Sequence, residues 1–240
     1  MYRTAAVKDE SPAQPPFIPC NDDFDARGAV GVDTLVAPGE KLIRVLDIVF
    51  AASILLFITP LLVLIALMVR CQDGGPALFA HTRIGRGGRE FKCLKFRSML
   101  TDSEARLNHL LATDEAAQKE WTETQKLRHD PRITRLGAFL RRSSLDELPQ
   151  FLNVLRGEMS VVGPRPIVRA EVPRYGRRFR HYTAVRPGIT GLWQVGGRSD
   201  VSYRRRVAFD VMYARRRSPR LYVGIVLKTV PAVLARDGSY

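Results

Sequence analysis

Two acidic side chains stand side by side at Asp146 and Glu147, within Ser143-Ser144-Leu145-Asp146-Glu147-Leu148-Pro149-Gln150 and just after Arg141 and Arg142. Carboxylates serve as nucleophiles, bases or metal ligands, and arginines hold phosphate oxygens, so several chemistries are open to this cluster. A structural reading competes with them. Ser144 and Glu147 fit a capping box, in which hydroxyl and carboxylate satisfy orphan amides at a helix start and the acids complement the helix dipole. Pro149 weakens that reading, because it would fall inside the first turns of the following helix, where a proline conflicts with the backbone.

The other candidate residues are less telling in isolation. Taken singly, Lys95, Arg165 and Asp210 read as exposed charges or structural ion pairs. Gly188, Gly191, Gly196 and Gly197 surround Gln194 and Arg198 in what reads as a loop. Such glycines let a backbone approach a ligand such as a nucleotide closely, and they equally suit an ordinary turn.

Elements must hold these groups in place. From Ile48 to Val69, 22 residues carry no charge, enough at about 1.5 Å per residue to cross a hydrocarbon core of roughly 30 Å. Lys41 and Arg44 precede the run and Arg70, Arg83, Arg86 and Arg89 follow it, so neither flank is marked as external. Thr59-Pro60 lies near the centre, where the proline removes a backbone donor and favours a kink. The residues admit both a hairpin that returns to one face and a simple spanning helix. Further on, Ala77 to Met99 predicts two short strands joined by a turn at Gly85, Gly87 and Gly88. Asp102 to Leu127, without Pro or Gly, predicts one exposed helix. Arg132 to Leu155 has apolar residues at helical spacing on both sides of Ser143-Ser144, predicting two helices that meet near Asp146. Ser218 to Ala235 opens with Pro219 and predicts an amphipathic helix, lying on headgroups or packed into a core. Residues 1–40, with Pro12, Pro15, Pro16 and Pro19, read as a disordered tail.

The chain has 240 residues, enough for one catalytic unit. Its 38 Lys and Arg against 24 Asp and Glu give a net charge of +14, which calls for an anionic partner: nucleic acid, phospholipid headgroups or phosphorylated substrates. A nucleic-acid-binding protein would leave the apolar run and the Asp146-Glu147 pair unexplained, so no nucleic-acid partner is expected. Cys20, Cys71 and Cys93 have no paired short spacing, which argues against a disulfide framework or a zinc site and fits a reducing, cytosolic setting.

The stretch from Ser144 to Gln150, followed by Asn153-Val154-Leu155-Arg156-Gly157-Glu158-Met159-Ser160-Val161-Val162-Gly163-Pro164-Arg165-Pro166, closely resembles the bacterial sugar transferase family of monotopic polyprenyl-phosphate phosphoglycosyl transferases. Lys95-Phe96-Arg97-Ser98-Met99, Asp130-Pro131-Arg132 and Arg186-Pro187-Gly188-Ile189-Thr190-Gly191-Leu192-Trp193-Gln194-Val195-Gly196-Gly197-Arg198 also match, in the family's order. The resemblance runs from about Lys41 to the C-terminus. Thr59-Pro60 departs from the family's usual Ser-Pro, although Thr likewise can bond a carbonyl one turn back.

The resemblance implies an α/β, mostly helical fold. A re-entrant membrane helix hairpin would occupy 41–70, and a small cytosolic catalytic domain over 71–240 would carry a short β-hairpin and interfacial amphipathic helices. It implies transfer of a sugar-1-phosphate from a UDP-sugar to undecaprenyl phosphate, releasing UMP through an aspartyl-phosphosugar intermediate, as the first step of exopolysaccharide or other glycoconjugate assembly. The location implied is the cytoplasmic face of the bacterial inner membrane, where cytosolic nucleotide sugar and lipid-borne acceptor meet. By resemblance Asp146 is the nucleophile and Glu147 the ligand of Mg²⁺, while Lys95, Arg97, Arg141, Arg165, Gln194, Arg198 and Asp210 bind substrate. A carboxylate suits this role because it is ionised near neutral pH, Mg²⁺ offsets the crowded anionic charge, and guanidinium groups clamp phosphate in pairs of hydrogen bonds. The short architecture resembles exopolysaccharide-initiating hexose-1-phosphate transferases, with galactose, glucose and N-acetylated donors all left open. Anionic phospholipid, a second copy of the chain and downstream glycosyltransferases are the other partners admitted. A non-catalytic scaffold of polysaccharide assembly with the same fold is the competing reading.

Overall fold

A computed structural model describes residues 39–124, 127, 129–196 and 201–234; the expected N-terminal tail, up to residue 38, and Arg198 lie outside the described residues. The architecture is mostly helical, with two small two-stranded sheets and one long apolar helix.

That helix, α1 (Glu40–Asp73), has 34 residues and is long and apolar enough to cross a membrane. It ends at Gly74, whose left-handed φ of 71° lets its N–H reach the Arg70 carbonyl at 2.9 Å. It runs through Pro60, and the Thr59 hydroxyl donates to the Leu55 carbonyl at 2.5 Å, one turn back. The middle of α1 is bare, with Leu56 75% and Phe57 82% exposed. Its two halves are not. Ile43 and Ala51 are buried with Phe91 and Phe151 in one core, whereas Ile65 and Val69 are buried with Phe96 and Leu140 in another.

The predicted hairpin forms from β1 (Leu78–Ile84) and β2 (Glu90–Phe96), antiparallel with Leu78 opposite Phe96 and Ile84 opposite Glu90. On β2, Phe91, Cys93 and Phe96 are buried, so this strand supplies both cores that flank α1. The single helix expected over 102–127 is instead two, α2 (Ser103–Thr113) and α3 (Glu115–Thr124). Asp114 makes the break: its side chain accepts the Ala117 N–H at 3.0 Å and so restarts the helix as a cap.

Helix α4 (Arg135–Arg142) is capped by Thr134, whose hydroxyl accepts the Gly137 N–H at 2.8 Å. Glycine costs helix propensity, but a Cβ at Gly137 would stand 2.0 Å from the Ser98 carbonyl oxygen, so only glycine lets α4 ride this close to the end of the hairpin. A 3₁₀ turn over Leu145–Glu147 links α4 to α5 (Gln150–Arg156), the two helices expected around Asp146. The capping box considered for Ser144 and Glu147 is absent, because Ser144 is left-handed with φ 57° and makes no side-chain cap bond. Pro149 is the N-cap of α5 rather than an interior residue, which removes the conflict inferred from sequence.

A second sheet pairs β3 (Ser160–Val162) with β4 (Gly188–Thr190) in parallel, across a crossover holding the short helices α6 (Val172–Tyr175) and α7 (Phe179–Thr183). The two backbones meet so closely that a Cβ on Gly188 would lie 2.0 Å from the Gly163 nitrogen. The glycine-bordered segment expected as a loop is therefore β4 followed by α8 (Leu192–Gly196). Helices α9 (Tyr203–Arg216) and α10 (Pro219–Leu234) follow. Pro219 opens α10, which buries Tyr222 and Ile225 and exposes Val223, Leu227 and Val230. Buried Asp47 ties α1 to β3 and α10, accepting bonds from the Ser160 hydroxyl, the Val161 N–H and the Tyr222 hydroxyl at 2.8, 2.8 and 2.9 Å.

Candidate active site

The Asp146-Glu147 pair occupies the 3₁₀ turn between α4 and α5, reached through the left-handed Ser144. Positive φ at a residue other than glycine is strained, and here it lies two positions before Asp146. Lys95 comes across from β2. Its Nζ stands 2.5 Å from Glu147 Oε1 and 3.9 Å from Asp146 Oδ2.

Burial divides the pair electrostatically. It pushes the Asp146 carboxyl above the usual range, with Glu147 adding to the rise and Lys95 and Arg141 opposing it. Burial acts on Glu147 in the same sense, but Lys95, Arg165 and Arg83 together outweigh it and hold that carboxyl below the usual range. Glu147 is thus the firmly held anion and Asp146 the more basic neighbour. Arg141 is oriented by Ser98, to whose hydroxyl its Nε donates at 2.8 Å.

A cleft opens beside the pair, lined by Arg83, Cys93, Lys95, Glu147, Gln150, Arg165 and Gln194. These side chains come from β1, β2, the 3₁₀ turn, α5, the segment after β3, and α8. Gln194 Nε2 donates to the Ile189 carbonyl at 2.9 Å, while among the described residues its buried Oε1 has no partner, which leaves an acceptor for a donor on a ligand. Three cations facing an anchored carboxylate suit a polyanion such as a diphosphate.

Lys95, Glu147, Arg165 and Gln194 are therefore brought to one cleft, with Asp146 and Arg141 at its edge. Arg97 is not: it pairs with Asp73 at the end of α1, and its Nε donates to the Pro76 carbonyl at 2.7 Å. Asp210 is buried among Tyr175, Tyr182 and Val207 and accepts the Tyr175 hydroxyl at 2.7 Å; burial pushes its carboxyl up to about 7. Thr59 and Pro60 lie in the stretch of α1 remote from the cleft lining. Three members of the cleft are not among the site residues expected from the sequence. Arg83, which also donates to the Pro166 carbonyl at 3.2 Å, appears there only among the charges that flank the apolar run, Cys93 only among the cysteines, and Gln150 only as the end of the acidic motif. Among the described residues no three His, Cys, Asp or Glu side chains cluster to cage a metal.

Comparison with known proteins adds an independent line. The family model described as bacterial sugar transferase matches residues 39–236. A UDP-galactose-lipid carrier transferase of Erwinia amylovora is 52% identical over 197 residues, covering 82% of this chain and 41% of that protein. The exopolysaccharide production protein ExoY of Rhizobium meliloti is 49% identical over 197 residues, covering 82% of this chain and 87% of that protein. A UDP-glucose:undecaprenyl-phosphate glucose-1-phosphate transferase of Caulobacter vibrioides is 43% identical over 205 residues, covering 82% of this chain and 71% of its own length. The chain thus spans about two fifths of the first relative and most of the second.

Proposed function

The chain belongs to the bacterial sugar transferase family, and on that premise we propose that it transfers a hexose-1-phosphate from a UDP-sugar to undecaprenyl phosphate, releasing UMP. The observation that carries this reading is the division of the dyad, one carboxylate pinned by Lys95 at 2.5 Å and the other left as the more basic oxygen beside a cationic cleft. An Asp146 oxygen attacks the β-phosphorus of the donor, the bond from that phosphorus to the bridging oxygen breaks, and UMP departs with the electron pair. An oxygen of undecaprenyl phosphate then attacks the same phosphorus. The acyl phosphate bond breaks, the Asp146 carboxylate is restored, and undecaprenyl-diphosphate-sugar leaves. Neither nucleophile needs a general base, because carboxylate and phosphate are both already anionic.

Arg83, Lys95 and Arg165 face the phosphate oxygens in this reading, and Arg141 stands beside the attacking carboxylate. Glu147 would hold Mg²⁺, which takes one or two carboxylates plus substrate phosphates rather than an all-protein cage, in keeping with the lack of a three-residue His, Cys, Asp or Glu cluster among the described residues. When bound, the ion would offset charge building on the diphosphate. The names of the relatives, which specify UDP-galactose and UDP-glucose, favour galactose or glucose as the donor sugar.

The acceptor's lipid tail requires a membrane, and α1 supplies the apolar length. A re-entrant course, with both ends on the cytoplasmic face of the inner membrane, draws support from the anchoring of both ends on one hairpin. Glu40 pairs with Arg86 at the hairpin turn and Asp73 pairs with Arg97 just past β2. A straight helix of 34 residues measures about 50 Å, whereas a seven-residue strand spans only about 24 Å, so a bend at Thr59-Pro60 fits both pairings. The exposed apolar side of α10 suits a place at the headgroups.

The test is UMP release from a panel of UDP-sugars by the detergent-solubilised protein with Mg²⁺, with and without undecaprenyl phosphate. Release from one donor, abolished in Asp146→Asn, is expected. Undiminished turnover by that variant would sink the assigned nucleophile, and silence across a panel on which a control enzyme works would favour the scaffold reading.

A further inference from the structure

Resting on that reading of the cleft, we propose that Asn153 is a positioning residue of the reaction, clamping the free edge of β2 to the helix that follows the dyad and so setting how Lys95 meets Asp146 and Glu147. One edge of β2 is taken by β1. On its other edge the Leu94 N–H and the Lys92 carbonyl face α5, where among the described residues no strand pairs with them. Asn153, wholly buried on α5, supplies both partners. Its Oδ1 accepts the Leu94 N–H at 3.0 Å and its Nδ2 donates to the Lys92 carbonyl at 2.8 Å. The second Nδ2 hydrogen goes to Glu158 Oε2 at 2.6 Å.

One side-chain amide thereby takes the place of an adjacent strand residue. An apolar side chain at 153 would leave a buried backbone donor and acceptor without partners. The position of this contact gives it a role in catalysis. Leu94 directly precedes Lys95, and Asn153 sits on the first turns of the helix that Pro149 opens immediately after the dyad. Among the described residues no other side-chain bond joins β2 to α5, and the turn just before α5 meets β2 through the 2.5 Å contact between Lys95 and Glu147. Lys95 reaches Glu147 at 2.5 Å and Asp146 at 3.9 Å, so a displaced β2 moves the cation away from both carboxylates.

The experiment is a double-mutant cycle of Asn153→Leu and Lys95→Met on the full chain in nanodiscs, scored as UMP release per folded protein. Asn153→Leu is expected to lower kcat about 10- to 100-fold with KM changed less than about threefold. Adding Asn153→Leu to Lys95→Met is expected to cost less than about twofold more. An unchanged kcat, or losses that multiply in the double variant, would overturn the proposal. Asn153→Ser goes through the same cycle if the leucine variant does not fold. A second measurement needs no turnover: acetylation of Lys95, read by mass spectrometry against exposed Lys119, should quicken at least about threefold in either variant, because the pairing that protects Lys95 loosens. Unchanged Lys95 labelling overturns the positioning role even if the wild-type chain releases no UMP, an outcome that would separately remove the transferase reading.

Discussion

Lys95 stands 2.5 Å from Glu147 and 3.9 Å from Asp146, and this asymmetry makes two adjacent acids chemically different. Removing the cation should raise the Asp146 carboxyl further, since Lys95 is the main charge opposing its burial. In Lys95→Met the acid limb of UMP release should therefore shift to higher pH, with the plateau rate down about 10²-fold through lost charge stabilisation; a pH–rate profile in saturating Mg²⁺ reads both. Asp210 poses a different question, because it lies in an aromatic core rather than in the cleft. Its folded value of about 7 lies above the ordinary 3.8, so the folded chain keeps a proton that the unfolded chain has released. The stability it contributes is complete below about pH 4 and is lost as pH rises through about 7, up to about 4 kcal/mol at about 1.4 kcal/mol per unit. Asp210→Asn should flatten that decline, measured as melting temperature between about pH 4 and 8. Preservation of the wild-type slope would show that another group causes it.

Two elements owe their placement to single backbone features. Helix α4 carries Arg141 to the dyad only because Gly137 lets it approach the Ser98 carbonyl. Gly137→Val should push α4 outward, lose the bond from Arg141 to Ser98 and destabilise the fold by about 2 kcal/mol, seen as a lower melting midpoint together with lost UMP release. For α1 the feature is Pro60. In a Cys20→Ser background, Cys71 and an introduced Leu42→Cys mark the two ends of the helix, both on exposed positions. A membrane-impermeant maleimide should reach both from the cytoplasmic side alone, and Pro60→Leu, which restores the missing backbone donor and straightens the helix, should carry one end across. Labelling of the two ends from opposite faces in the unaltered chain would exclude the re-entrant course.

Over the whole molecule, a charge of +14 beside a helix long and apolar enough to cross a membrane leads to the expectation that anionic lipid favours the reaction. Transfer to undecaprenyl phosphate in nanodiscs containing phosphatidylglycerol should show an apparent KM several-fold lower than in phosphatidylcholine, and the difference should fade by about 0.5 M NaCl as the charges are screened. A difference that persists at high salt would point to a specific lipid site instead of the summed field.

The sequence by itself determined the apolar helix, the β-hairpin, the helices on either side of Asp146, the amphipathic C-terminal helix and the Asp146-Glu147 motif. Each depends on periodicity or on residues within one or two turns of one another, which neighbouring residues encode directly. It misjudged what a local competitor decided, as at Asp114, where a side-chain cap splits one expected helix into two. Only the tertiary structure decided that β3 pairs with β4, that Arg83 and Gln150 join the cleft, that Arg97 is drawn away to Asp73 and that Asp210 is buried against Tyr175. These outcomes rest on contacts between residues tens of positions apart. Burial then sets the electrostatics, because the cost of an uncompensated charge depends on what surrounds it in space and not on its neighbours along the chain.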